Sequence, residues 1–598
     1  MDMQNTIGSE DGLAPNPQFA RDEWLELKGE WRFKSDGDRI GEREGWMHDF
    51  PGETVINVPY VRETEGQKHL HDGSEVIWYQ KTVRVPKHQQ GKTALIHFEA
   101  VDYVATVWVN GEQCLIHEGG FDPFVVRYSV GDEEALTVTV RVEDTHQTAQ
   151  PLGKQSWKDH NFLCWYTRTT GIWQTVWVEF VQDVYLEDVE MTPDIDTASL
   201  EIAVHASMEA KGSRKVNLIV EIALKGRRIR EVAFNGIGRY TKASVAVDSD
   251  DPDFRLAYWS PDEPNLYDIT FTLECEGKTV DHVKSYFGMR GIRAKGTQIL
   301  LNNKFFYQKL ILDQGYYGDT LMTPSSETME QEDILKIKEM GFNGLRKHQT
   351  VSSHRYLYLC DKHGLVVWGE MPSSYVFQTK SVERMHVQWP AILKKHRNHP
   401  SVIAYAVMNE SWGANELYQN PRQQQYINSL YTLTKALDDS RLVIGNDGWE
   451  HTMTDILTIH DYNQDERSLA SVYEDPSFVD GAPSTTSKKY NFASGYAYEG
   501  QPVMLSEFGG VAYSEEQGDE EWGYGERPTS KEEALDRIAR LMKAVMDHDH
   551  FCGFCYTQLT DVEQEVNGLL THDHDYKYDP ERVRNILNYK QNGGFEFK

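Results

Sequence analysis

The sequence predicts three domains in one chain: a jelly-roll-like β-sandwich over residues 1–182, an immunoglobulin-like β-sandwich over 183–292, and a (β/α)8 TIM barrel over 293–598. Three observations carry this. The chain has 598 residues, several times the roughly 150 of one ordinary domain. Up to about Arg290 its hydrophobic pattern has a period of two, the mark of half-buried strands. Beyond about Lys295 strand-like and helix-like runs alternate, and parallel strands need crossover helices. With 39% hydrophobic and 12% aromatic residues the chain can fill several cores, which excludes disorder as its main state.

From about Trp24 to Phe180 the runs LIHFEAV, TVWVNG, LTVTVRV and TVWVEF are separated by Gly, Asn, Asp and Pro, as in an antiparallel sandwich of jelly-roll size. From about Asp183 to Arg290 the candidate strands are VNLIVEIAL, ASVAVDS and YDITFTLEC, matching an immunoglobulin-like sandwich in length. Then come EDILKIKEMGF and HRYLYLCDKHG as helices between strands. Eight barrel strands are expected at FFYQK, NGLRKH, LVVWGE, VIAYAVMN, RLVIGN, ILTIHD, PVMLSE and GFCYTQ. An open doubly wound sheet would carry a Gly-rich phosphate turn after its first strand, and this chain has none.

The chain carries 93 Asp and Glu against 61 Lys and Arg, a net charge of −32. That argues against a nucleic-acid partner, which would need a basic face, and against docking to anionic membranes by charge. No apolar stretch approaches the roughly 20 residues that cross a bilayer. The first residues lack a basic and apolar leader pattern, and six cysteines are too few for a disulfide framework, so a cytoplasmic protein is expected. A homo-oligomer is compatible with all of this. Cys552-x-x-Cys555 falls on a buried strand, where residues three apart should point to opposite faces, so no redox or metal role is expected there. The clusters Asp547 to His550 and His572 to Asp575 have ligand-type side chains but no defined geometry. Neither a metal nor a cofactor is expected.

A barrel keeps its active site where the strands end. Strand two ends in Arg346 and His348, and strand three in Trp368 and Glu370. Strand four closes in Asn409 and Glu410, and strand five in Asn446 and Asp447. His460 and Tyr462 follow strand six, Glu507 strand seven, and Gln558 strand eight. Amides, carboxylates and imidazoles give a sugar directional partners for its hydroxyls. Trp368, Trp412, Tyr462 and Tyr556 would offer flat faces to its C–H surfaces. Glu410 and Glu507 each end a buried strand three units apart, which sets them across one mouth. Such a pair is the minimum equipment for glycosidic cleavage. The alternative is that both merely pair with Arg346 or Lys347.

AVMNESWG around Glu410 and PVMLSEFGG around Glu507 resemble the acid/base and nucleophile motifs of glycoside hydrolase family 2, which holds β-galactosidases, β-glucuronidases and β-mannosidases. The likeness continues in order through RDEWLELKGEWRF, VDYVATVWVNGE, GIWQTVWVE, WSPDEPNLYDI, YFGMR, GFNGLRKHQ and LCDKHGLVVWGEMP. It implies an exo-acting retaining glycosidase with Glu410 as acid/base and Glu507 as nucleophile. Asn409 would bond the sugar 2-hydroxyl, and Arg346 and Tyr462 would support the nucleophile. Asp313, with Gln314, Tyr316 and Tyr317, would line the terminal-sugar subsite. The family's glucuronidases carry an Asn-x-Lys signature that binds the sugar carboxylate; here Asn567 is followed by Gly568 and Leu569. A neutral sugar is therefore expected, galactose first, with β-glucuronide, β-mannoside and a galacto- or arabinofuranoside as alternatives. A carbohydrate-binding protein without catalysis is the reading from another class. In the first domain, Trp165, Tyr166 and Arg168 could reach over the barrel mouth, while Trp108, Trp157 and Trp173 could either stack on sugars or fill cores.

Overall fold

The computed structural model describes residues 13–208, 214–248, 255–481, 487–515, 518 and 520–590. The outer ends of the expected domains 1–182 and 293–598 and the last residue of ASVAVDS lie outside these.

The first domain packs a six-stranded antiparallel sheet on a four-stranded one. Strand Ala135–Glu143, read as LTVTVRV in the sequence, pairs along its length with Val76–Arg84 and turns alternate side chains into the core between the sheets. Trp108 lies on the opposite face, stacked on Trp78 with centroids 5.2 Å apart, and is buried. The second domain sets a three-stranded sheet against a four-stranded one. Its strand Val216–Leu224 alternates buried and half-buried positions, as VNLIVEIAL requires.

A short antiparallel sheet of Ile292–Lys295, Gln298–Leu301 and Lys304–Phe305 follows. Its Ile292, Ile299 and Leu301 join the cluster that fills the barrel interior and so close the barrel floor. The expected first strand, FFYQK, is thereby split: Phe305 ends this floor sheet and the barrel begins at Gln308.

The barrel strands are β1 (Gln308–Asp313), β2 (Gly344–Lys347), β3 (Val366–Glu370), β4 (Val402–Ala406), β5 (Leu442–Ile444), β6 (Leu457–Asp461), β7 (Val503–Gly509) and β8 (Phe551–Thr557). They pair in parallel in the order β5-β4-β3-β2-β1-β8-β7-β6, so the barrel is nearly closed, with its seam between β5 and β6. No helix stands between those two strands among the described residues. Elsewhere the crossovers are α1 (Met329–Glu339), α2 (His354–His363), α3 (Thr379–His396), α4 (Pro421–Leu437), α5 (Glu466–Val472) and α6 (Lys531–Met546), with α7 (Pro580–Leu587) after β8. α6 shows how the sequence specifies them. Leu535, Ile538, Leu541, Met542 and Val545 recur at helical spacing on its buried face, and the Ser530 side chain caps its start by accepting from the Glu533 N–H.

Three expectations fail inside the barrel wall. Trp368 is fully buried below the mouth and donates its indole N–H to Gln308 at 2.8 Å, so it fills the barrel rather than touching a ligand. Tyr556 faces outward, packed edge-on against Phe508 at 5.6 Å. Cys552 and Cys555, expected on opposite faces, both lie in the barrel-interior cluster. The reason is a bulge: Val503 and Leu505, two apart on β7, oppose Phe551 and Phe554, three apart on β8.

Candidate active site

Arg346, at the end of β2, is the hub of the mouth and is wholly buried. Its Nε donates to Glu370 at 3.0 Å, its Nη1 to Glu507 at 2.8 Å, and its Nη2 to Asn409 Oδ1 at 2.6 Å. Asp447 Oδ2 is 2.6 Å from the same Nη1. Burial opposes the guanidinium charge, but the carboxylates of Asp447, Glu370 and Glu507 outweigh it and hold Arg346 charged.

Glu507 ends up between two donors. Its Oε1 accepts from Arg346 and its Oε2 accepts the Tyr462 hydroxyl at 2.6 Å. The Tyr462 ring is fixed by stacking on Tyr524, with centroids 3.5 Å apart. Burial pushes the Glu507 carboxyl up, while His460, Arg346 and His348 pull it down further, to about 2. It is ionised at neutral pH.

Glu410 leaves β4 in a left-handed turn, φ +51° at Glu410 and +58° at Ser411. Non-glycine residues adopt this conformation only where surroundings enforce it. Here the β5–β6 seam does so: the Glu410 N–H donates to the Asp447 carbonyl at 2.9 Å and the Ser411 N–H to Asn446 Oδ1 at 2.9 Å. The turn aims the carboxylate at His460, whose Nδ1 is 2.8 Å from Glu410 Oε1 and whose Nε2 is 2.7 Å from Asp447 Oδ2. Burial disfavours the imidazolium, but Glu507 and Asp447 prevail and push His460 up to about 10. Both ring nitrogens then donate. One carboxylate oxygen of Glu410, one of Glu507 and a ring nitrogen of His460 lie within 4.8 Å of one another.

The structure thus brings together Arg346, His348, Glu370, Asn409, Glu410, His460, Tyr462, Glu507 and Gln558, but gives some of them other tasks than the sequence suggested. Glu370 has both oxygens engaged, by Arg346 and by Gln349 Nε2 at 2.5 Å, and no exposed surface, so it props the hub instead of meeting a sugar. His460 is saturated by Glu410 and Asp447 and positions the former. Asp313 points out of the barrel toward α2, accepting from Lys347 Nζ at 2.7 Å, the Tyr356 hydroxyl at 3.1 Å and the Gly315 N–H at 2.8 Å. Its neighbour Gln314 turns inward in its place. Tyr316 donates to the Thr167 carbonyl and Tyr317 stacks on His574, so neither faces the mouth. His574 is itself held by Asp333 at 2.8 Å, which disperses that His/Asp cluster.

Two buried amide nitrogens, Asn409 Nδ2 and Gln558 Nε2, have no hydrogen-bond partner among the described residues. Each has its amide oxygen engaged, Asn409 Oδ1 by Arg346 and Gln558 Oε1 by Gln314, which leaves these two donors as the unused ends of the network. His348 is buried beside the hub, its Nδ1 3.1 Å from Arg346 Nη2 and 3.2 Å from Glu370 Oε2, with its ring 6.0 Å from that of Trp412. The wall above comes from the first domain: Trp165 faces Trp412 at 5.8 Å and Trp157 packs on Tyr375 at 4.5 Å. Tyr166 donates to Glu565 Oε2 at 2.5 Å and accepts from Gln314, which also donates to Gln558. Arg168 turns to Asp159 instead, and Trp173 is core. Asp447 was legible as a strand-end residue, whereas the importance of Glu565 and Tyr524 had no local signal.

Three profiles match in chain order: "Glycosyl hydrolase 2 galactose-binding domain-like" over 31–172, "Glycosyl hydrolases family 2" over 184–290, and "Glycosyl hydrolases family 2, TIM barrel domain" over 292–518. Among curated relatives, a β-glucuronidase of Paenibacillus borealis is 23% identical over 545 residues, 84% of this chain and 85% of that protein. A β-galactosidase of Thermoanaerobacter pseudethanolicus is 26% identical over 382 residues, 61% of this chain but 49% of that one. Among solved structures, a β-glucuronidase from Ruminococcus gnavus superposes with a TM-score of 0.75 at 17% identity, covering 94% of this chain and 97% of its own. A β-galacturonidase from Eisenbergiella tayi gives 0.72 at 19%, covering 96% and 97%. With all three of its profiles matched in sequence order, over the two sandwiches and the barrel just described, the chain belongs to glycosyl hydrolase family 2.

Proposed function

We propose that the protein is an exo-acting retaining glycoside hydrolase that removes a terminal sugar by double displacement, with Glu507 as nucleophile and Glu410 as acid/base. The observation that carries this reading is the approach of the two carboxylates to within 4.8 Å across the mouth. Retaining enzymes hold their carboxyl groups about 5 to 5.5 Å apart, whereas inversion needs about 6.5 to 9.5 Å to admit a water. Glu507, ionised between Arg346 and Tyr462, attacks the anomeric carbon while Glu410 protonates the departing oxygen. Glu410 then takes a proton from water, which displaces Glu507 from the glycosyl-enzyme. Asn409 Nδ2 is free to bond the sugar 2-hydroxyl as charge develops at the ring.

Glu507→Ala tests the assignment. It should abolish hydrolysis, and azide should restore turnover of a dinitrophenyl glycoside, giving a glycosyl azide of opposite anomeric configuration. Near-normal activity without azide would overturn it.

The glycone is a neutral sugar in this reading, with β-galactoside as the first substrate to test. Leu569, where the Asn-x-Lys signature would set its lysine, is buried in the core, and nearby Lys577 is held by Asp561 at 2.7 Å. A second reading, β-glucuronidase, is favoured by the Paenibacillus relative of that name, matched over 85% of its length. A panel of p-nitrophenyl glycosides separates the two. The unpaired state of all six cysteines supports a cytoplasmic setting.

A further inference from the structure

Lys154 belongs to the first domain, yet its ammonium lies beside the barrel mouth, 4.9 Å over the ring of Trp412 and 5.8 Å from that of Tyr166. The residue is 5% exposed. Among the described residues no carboxylate, carbonyl or hydroxyl oxygen accepts a hydrogen bond from it; its polar neighbour is the thiol of Cys164, a weak acceptor. Burying an ammonium without oxygen partners is costly, and a chain retains one where something else completes its shell. The groups that keep it charged against burial, after Cys164, are Glu565, Glu507 and Glu410. Lys154 therefore stands within the field of both reacting carboxylates. Cation–π contact with Trp412 offsets part of what burial costs, and with one N–H turned to the Cys164 thiol the ammonium still has N–H groups without an oxygen partner.

Glu565 stands near it with complementary chemistry. Its carboxylate accepts from the Tyr166 hydroxyl at 2.5 Å and from Asn567 Nδ2 at 3.0 Å, and each oxygen keeps a second lone pair. The same Tyr166 hydroxyl receives Gln314, which is joined to Gln558. The result is a continuous polar arc from the first domain to the end of β8, holding one unused cationic donor and one carboxylate acceptor.

We propose that Lys154 is a specificity-determining residue of the terminal-sugar subsite, donating to a glycone hydroxyl whose neighbour is read by Glu565. This deepens the reading of the site as a neutral-sugar glycosidase and rests on it. A hydroxyl fits better than a carboxylate here because the charges of Glu565, Glu507 and Glu410 already act on the ammonium, and a further anion would be repelled by these acidic groups.

The test compares wild type, Lys154→Met and Lys154→Arg on p-nitrophenyl β-galactoside, β-galactofuranoside and β-glucuronide, and on the 3-, 4- and 6-deoxy forms of the neutral glycoside that wild type cleaves best. Methionine keeps the aliphatic packing, and equal melting temperatures establish that the fold is retained. Lys154→Met should lose about 10- to 100-fold in kcat/KM on the neutral glycoside, chiefly through KM, with Lys154→Arg recovering part. Against one deoxy form, wild type and Lys154→Met should be nearly equal, because the contacted hydroxyl is gone. Two results would overturn the proposal: Lys154→Met matching wild type on every neutral glycoside, or a loss confined to the glucuronide, which would make the partner a carboxylate. Azide rescue of Glu507→Ala tests the glycosidase reading independently of either.

Discussion

At the scale of single residues the mouth is a buried charge network in which each ionisation depends on its neighbours. Arg346 and the His460 imidazolium face Glu507, Asp447, Glu370 and Glu410 with almost no solvent between them. His460, at about 10 in the folded protein against about 6.5 when unfolded, contributes stability that is fully present below pH 6.5 and is lost as pH rises through 10. Glu507, at about 2 against about 4.3, contributes stability present above pH 4.3 and lost as pH falls through 2. His460→Gln should therefore cost about 3 kcal/mol at pH 6, and the gap in melting temperature between it and wild type should shrink steadily toward pH 10. A gap that stays constant with pH would mean that the ring is neutral. The two roles proposed for Glu410 and Glu507 separate by leaving group. Glu410→Ala should slow glycosides of poor leaving groups by about 10² to 10⁴, while dinitrophenyl glycosides form the intermediate at nearly the original rate. If both classes fell together, Glu410 would be binding the sugar rather than delivering a proton.

At the scale of elements, what each strand presents to the mouth follows from pleating and from where the strand stops. Arg346 and Trp368 are register partners on β2 and β3, yet Arg346 reaches the carboxylates while Trp368 fills the interior below. Trp368→Leu should lower stability by about 3 kcal/mol through lost burial and the orphaned Gln308 carbonyl, and leave KM unchanged within about twofold. A large rise in KM with unchanged melting would return Trp368 to the substrate. The sequence located seven of the eight strands to within about three residues at their ends, because each apolar run is followed closely by polar residues, although β4 stops at Ala406, short of Asn409. It misplaced the first because FFYQK straddles two elements, its Phe305 ending the sheet that plugs the floor and its Gln308 opening β1. Inward and outward facing was less legible. A single bulge in β8 reverses the alternation that a reader counts by, and Asp313 ends its strand like the true mouth residues while pointing at α2.

At the scale of the whole molecule, polar clasps help to join the domains. Arg21, in the segment before the first sandwich strand, donates to Glu179 at 2.7 Å in the first domain and to Asp281 at 2.9 Å in the second. All three are buried, so Arg21→Met removes the cation from two buried carboxylates and leaves Glu179 to His97 and Asp281 to the Leu186 and His282 N–H groups. Its expected cost is about 3 to 5 kcal/mol, read as a lower melting temperature with kcat/KM preserved. An unchanged melting temperature would show the clasp to be dispensable. The same docking of the first domain carries Trp157, Trp165 and Lys154 to the barrel, so the mouth is finished by a chain segment some 250 residues before Glu410.

By itself the sequence determined the order and kind of the domains and the barrel, and it pointed to the two glutamates at one mouth, because periodicity, strand-end polarity and the motifs around Glu410 and Glu507 are local properties. Tertiary structure alone decided what each polar residue does. Whether a carboxylate meets a sugar, props an arginine as Glu370 does, or turns to the helix layer as Asp313 does depends on which donors surround it, and those donors come from other strands and another domain. The ionisation of His460 and Glu507 and the unspent ammonium of Lys154 are of this kind: they arise from electrostatic and hydrogen-bonding neighbours that are distant in the chain and meet only when the barrel and the sandwich have packed.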